Sequence, residues 1–186
     1  MSGWEPPRRD PYVELTDDAV HGAALRERGE AQDRAAQAAR LASWVGTLRD
    51  LAERRLPVVV SATGGRRHRG SLVGLATDHL ALQAPDGRLA LIALDTIRLL
   101  RAEPGQRIGT AMGDRAVPVD RTLADALDRF AEARAPVTIV LRDVVEPIEG
   151  VPVAVGEDVL TLRVDHAGTA FVPLNAVAEL LVTTRP

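Results

Sequence analysis

Two stretches of this sequence are written to one plan. Residues 48–60 read Leu48-Arg49-Asp50-Leu51-Ala52-Glu53-Arg54-Arg55-Leu56-Pro57-Val58-Val59-Val60. Residues 127–139 read Leu127-Asp128-Arg129-Phe130-Ala131-Glu132-Ala133-Arg134-Ala135-Pro136-Val137-Thr138-Ile139, with six of thirteen positions identical at an offset of 79. Further on the offset becomes 80, as one extra loop residue requires. There Gly70, Val73, Asp78, Leu80 and Leu82 match Gly150, Val153, Asp158, Leu160 and Leu162. Ile92, Leu94, Ile97 and Leu100 then face Val172, Leu174, Val177 and Leu180. Shared base composition can produce stray Ala and Arg matches, but it does not keep Pro, Gly and Asp in register over so long a span. An internal repeat is the first thing to look for, because missing it mistakes the whole fold.

Each unit has a readable local structure. Leu41, Trp44, Val45, Leu48 and Ala52 share one helix face, and so do Leu123, Ala126, Leu127, Phe130 and Ala131. Thr122 with Asp125 is the signature of a capped helix start. Pro57 and Pro136 push the residue before them out of helical geometry, so the helices end there. Strands are predicted at 58–62, 70–75, 79–83, 89–94 and 97–101, and in the second unit at 137–141 and 177–183 among others. Turns at Pro85-Asp86-Gly87 and Asp165-His166-Ala167-Gly168 place Gly where φ is positive.

A short helix followed by five short, closely spaced strands predicts a small closed barrel, since closure removes the edges of strands this short. The run Gly70-Ser71-Leu72-Val73-Gly74-Leu75 followed by Asp78-His79-Leu80-Ala81-Leu82 resembles the first signature of the Sm-like (Hfq/LSm-type) small β-barrels. Leu94-Asp95-Thr96-Ile97 and Leu174-Asn175-Ala176-Val177 resemble the one-turn connection before the last strand of that family. The Asn that contacts RNA in the first Sm signature is replaced by Leu80 or Ala81, and neither unit has the Arg-Gly pair of the second signature. The resemblance therefore implies the fold more than RNA binding. The expected fold class is α+β, mostly β: a long N-terminal helix followed by two tandem helix-plus-five-stranded SH3/Sm-like barrels. The expected division is a flexible tail at 1–15, an N-terminal helical extension at 16–40, a first barrel with its helix at 41–101, a linker at 102–121, and a second barrel with its helix at 122–183. The extension is rich in Ala, Arg, Glu and Gln, with Gly22 and Gly29 as places where it can break.

Composition excludes whole classes of function. The chain has no Cys among its 186 residues, which removes disulfide scaffolds, iron–sulfur clusters, zinc ribbons and a Cys nucleophile. No apolar run reaches the roughly 18 residues of a membrane span, and Met1-Ser2-Gly3-Trp4-Glu5-Pro6-Pro7 has no apolar signal core, so the expected location is cytoplasmic. All 23 basic residues are Arg, a global preference that marks no site. A net charge of −3 argues against a protein that coats nucleic acid. That figure averages two unlike halves: residues 57–101 carry +3 and residues 135–186 carry −4. One unit can hold an anion, or basic and acidic units can meet within or between chains. The opposing reading is drift on solvated faces.

The most distinctive local run is Gly64-Gly65-Arg66-Arg67-His68-Arg69-Gly70, expected at a hairpin tip. Arg66, Arg67, His68 and Arg69 form the candidate anion or RNA site, set against the plain reading of a solvated turn. The matching segment of the second unit is acidic. His21, His68, His79 and His166 show no metal-ligand spacing, and no metal or cofactor site is assigned. Asp78 and His79 are neighbours on a strand and are expected to point apart. Asp78 and Asp158 are expected to cap turns. Phe130, Phe171 and Trp44 are assigned to the core, leaving only Trp4 and Tyr12 free for base stacking. No catalytic constellation is found, so an enzyme is not expected, and no small-molecule substrate is evident. The expected function is a non-enzymatic interaction module, protein-binding or self-assembling into an oligomer. The alternative is an RNA-binding regulator that uses the basic loop.

Overall fold

Ser43 opens the helix of the first unit in the computed structural model, which describes residues 27–33, 36–37, 43–106, 120–165 and 167–183. Its backbone is extended and its Oγ accepts from the Gly46 N–H at 3.0 Å, so the chain enters α1 (Trp44–Glu53) through a side-chain cap. Leu48 and Leu51 bury the inner face of α1. The helix ends where Arg55 takes a left-handed φ of 49° and the Leu56 N–H donates to the Leu51 carbonyl at 3.0 Å. Pro57 then begins β1. The second half repeats each step. Thr122 and Asp125 form a full capping box on α2 (Leu123–Glu132). Arg134 takes φ 48°, the Ala135 N–H donates to the Phe130 carbonyl at 3.0 Å, and β6 follows Pro136.

The strands are β1 (Pro57–Ala62), β2 (Arg67–Leu75), β3 (His79–Gln83), β4 (Arg88–Ala93), β5 (Ile97–Ala102), β6 (Val137–Leu141), β7 (Ile148–Val155), β8 (Val159–Val164), β9 (Gly168–Pro173) and β10 (Val177–Thr183). One-turn 3-10 helices at Leu94–Thr96 and Leu174–Ala176 precede β5 and β10. The first half orders its strands β5-β1-β2-β3-β4 and the second β10-β6-β7-β8-β9. The irregularities also correspond. The ladder of β5 with β1 skips Arg98 and that of β10 with β6 skips Ala178. The ladder of β2 with β3 skips Val73 and that of β7 with β8 skips Val153. Such bulges re-aim a strand and raise its twist.

Two parts of the expected fold class are corrected. Two separate closed five-stranded barrels do not form. The 3-10 turn after β4 sends β5 across to β1, so β4 keeps an open edge, and β10 occupies it. All ten strands make one continuous antiparallel sheet, β5-β1-β2-β3-β4-β10-β6-β7-β8-β9. The expected long helix running from the N-terminal extension into the first unit is corrected too, because the extended backbone at Ser43 starts a separate ten-residue helix. The described residues before it, 27–33 and 36–37, are helical, and the rest of the expected extension at 16–40 lies outside the described residues. The expected tail at 1–15 lies outside the described residues, as do 107–119 of the expected linker.

Two apolar clusters lie along the sheet. The first gathers Leu48, Leu51, Val58, Val60, Leu72, Leu80, Leu82 and Ile92, and the second gathers Leu123, Leu127, Val137, Ile139, Leu160, Leu162 and Leu180. They exchange residues across the middle. Leu91 of β4 is buried in the second cluster, and Leu181 of β10 packs on the first. Each half thus completes the other's core, which explains why β4 and β10 stay paired. Burying apolar area of this kind is the main favourable term in folding.

Candidate functional site

The basic run does not form a free loop. Thr63–Gly65 is the turn, and Arg67, His68 and Arg69 already belong to β2. Acidic residues hold most of its charge. Arg66 Nε donates to Glu179 Oε2 at 3.0 Å. His68 Nε2 stands 2.9 Å from the same oxygen but off the hydrogen-bond direction. Arg69 is locked to Glu103 by a two-pronged ion pair. That hydrogen bond, ahead of the simple charge attraction, holds the Glu103 carboxyl below its ordinary range and the Arg69 guanidinium above its own. Arg66, Arg67, His68, Arg69 and Arg88 line a shallow hollow of about 230 Å³. Arg88 is paired with Asp86 at 2.7 Å, so Arg67 is the one member of that set with no ion pair among the described residues. Three of the four candidate residues therefore face acids of this chain.

Glu179 is the residue at the centre of this arrangement that the sequence did not single out. It is fully buried on β10, and its Oε1 has no donor among the described residues. Only its place in the acidic half hinted at its role. The two halves meet within the chain here, and again where Arg142 of the acidic half donates from Nη1 to Asp95 Oδ2 of the basic half at 2.8 Å, a pair of the opposite sense.

Around these charges lies the joint between the halves. β10 pairs with β4, with Glu179 opposite Ile92 and Leu180 opposite Leu91. Asp78, expected to cap its own turn, reaches the second half instead. The Leu123 N–H, the first of α2, donates to Asp78 Oδ1 at 2.9 Å and to Oδ2 at 3.2 Å. His79 does not point away from Asp78, because its Nδ1 lies 2.8 Å from Asp78 Oδ1. The bend after β2 and the adjoining bulge bring both side chains to this junction. Beside it, an apolar cleft of about 440 Å³ runs between Leu75, His79 and Leu91 on one side and Ala126, Arg129 and Phe130 on the other.

The two ends of the sheet have no such cover. Among the described residues β5 pairs only with β1, and β9 only with β8. Large apolar side chains lie open there. Phe171 on β9 is 72% exposed, Leu99 on β5 is 55% exposed and Trp44 at the start of α1 is 45% exposed. Assigning Phe171 and Trp44 to the core is thus corrected. Their spacing is that of a buried face, but none of the described residues covers them. Their counterparts across the offset, Leu91 and Leu123, are buried at 6% each because the other half covers them.

Among the described residues no three His, Cys, Asp or Glu side chains cluster as metal ligands, and no helix is long and apolar enough to cross a membrane. His21 and His166 lie outside the described residues. No protein family matches the sequence, and neither does any curated protein.

Proposed function

We propose that this chain is a non-enzymatic interaction module that assembles with further copies of itself, β9 of one copy pairing with β5 of the next. We read it as a duplicated unit related to the Sm-like proteins, joined within the chain through β4 and β10. One observation carries the proposal: the contact made between the halves is the contact both ends lack. β4 and β10 pair inside the molecule, while their counterparts β9 and β5 are the two edges left unpaired among the described residues. An open edge presents unpaired N–H and C=O groups that template pairing with another chain. The side chains support the same reading, since Phe171 and Leu99 are large, apolar and exposed on those two edges. A contact between unlike edges is head-to-tail, so it builds a ring if the rotation closes and a filament if it does not.

Sedimentation velocity over a concentration series tests this. The expected result is a mass that rises in multiples of the chain and falls back to one chain in Leu99→Arg and Phe171→Arg. A single-chain mass at every concentration contradicts the proposal. The RNA-binding alternative rests on Arg67 and the hollow beside it, since Arg66, Arg69 and Arg88 are engaged by acids. If RNA binds there, Arg67→Ala reduces the salt slope of binding by about one.

A further inference from the structure

We infer that, in the assembly proposed above, Asp158 of one copy caps α1 of the next copy while Phe171 packs beside that copy's Trp44 and Leu100. This inference rests on edge pairing and adds the residues that fix its geometry. The joint inside the chain serves as the pattern. There Asp78 takes the first N–H of α2 at 2.9 Å, and Leu91 is buried in one cluster with Leu123 and Leu180. Moving each partner by the repeat offset turns Asp78 into Asp158, Leu91 into Phe171, Leu123 into Trp44 and Leu180 into Leu100.

Each of these positions is prepared for the contact. The backbone at Asp158 is held as it is at Asp78: the Leu174 N–H donates to the Asp158 carbonyl at 2.8 Å, and the Leu94 N–H to the Asp78 carbonyl at 2.8 Å. The two carboxylates are thus presented alike, but that of Asp158 is exposed and takes no hydrogen bond among the described residues. At the receiving end, Ser43 Oγ serves the Gly46 N–H, and the Trp44 N–H has no acceptor among the described residues. The first N–H groups of a helix need acceptors from outside it, and a carboxylate also suits the positive end of the helix dipole. The exposed aromatic side chains of Phe171 and Trp44 stand where the inner joint has Leu91 and Leu123.

The two joints also differ in a way that keeps them apart. The place of Glu179 on β10 is taken by Leu99 on β5, and the place of His68 on β2 by Ile148 on β7. The inner joint is therefore ionic at its centre and the outer one apolar. A β10 edge offered to β9 would bury Glu179 against Ile148 with no cation, and a β5 edge offered to β4 would leave Arg66 and His68 without their carboxylate. Unpaired buried charge is strongly disfavoured, so each edge accepts one partner.

The test uses Trp44 as its own reporter in a Trp4→Phe chain. Fluorescence and sedimentation are followed together against protein concentration. As the chains associate, Trp44 emission should move to shorter wavelength. Asp158→Ala should weaken association about fivefold, the usual worth of one capping bond. Phe171→Ser should abolish the emission shift. Both side chains are exposed in the single chain, so circular dichroism should stay unchanged. If chains associate while Trp44 emission stays constant and Asp158→Ala has no effect, edge pairing stands and this inference falls. If the chain is single at every concentration, both fall.

Discussion

Glu179 shows how one side chain orders the middle of the molecule. It is a fully buried carboxylate that answers a guanidinium and an imidazole from the other half. Removing one member of a buried charged group leaves the rest uncompensated. Glu179→Ala should cost about 3 kcal/mol in urea unfolding, the low end for such sites because the Arg66 side chain is 31% exposed. Gly70 makes a different demand. A Cβ there would press into the Gln83 carbonyl of the neighbouring strand, and at the matching Gly150 it would come within 2.5 Å of the Arg163 carbonyl. Overpacking of this kind costs about 1–3 kcal/mol, so Gly70→Ala should lower the urea midpoint accordingly. Both glycines are visible as repeat positions in the sequence. Glu179 is not, because its meaning depends on Arg66, 113 residues earlier in the chain. For Phe171 and Trp44, spacing reveals an apolar face but not whether anything lies against it.

Helices and strands were the most legible level. The capping box at Thr122 and Asp125, the prolines that follow both helices and most strand positions follow from local chemistry. The start of β2 did not, because Arg67, His68 and Arg69 resemble a polar loop until Glu103 and Glu179 are beside them. The bulges at Val73 and Val153 leave no local signature either. Thr122→Ala should cost about 1 kcal/mol, as loss of an N-cap does. The same cap gives a pH dependence. Hydrogen bonding from the Thr122 backbone, then from its hydroxyl, holds the Asp125 carboxyl below the ordinary aspartate range. The folded value lies below the unfolded one, so this stabilisation is complete above the unfolded pKa and is lost as pH falls through the folded pKa. Asp125→Asn should therefore differ from the parent chain at neutral pH. The two stability curves should converge in acid; a constant gap would contradict the assignment.

For the molecule as a whole, the shared element order of the two halves was legible in the sequence and the connection between them was not. Periodicity and turn residues describe what each half can make, and closure of each half on itself was the expected way to hide its edges. The actual solution depends on which strand reaches the edge of β4, and no local pattern records that choice. β10 takes that edge, leaving β5 and β9 open. The proposed assembly requires these two edges to pair between copies as β4 and β10 do within one. A chain without Cys makes this directly measurable. Leu181 lies opposite Ala90 at the inner joint, so the matching outer pair is Arg101 with Ala170. Cys residues facing across antiparallel strands come close enough to bridge. Arg101→Cys and Ala170→Cys chains, mixed and oxidised, should give a cross-linked species containing one of each. Either chain oxidised alone should give none. Absence of the mixed species, or an equal yield from either chain alone, would rule out pairing of β9 with β5.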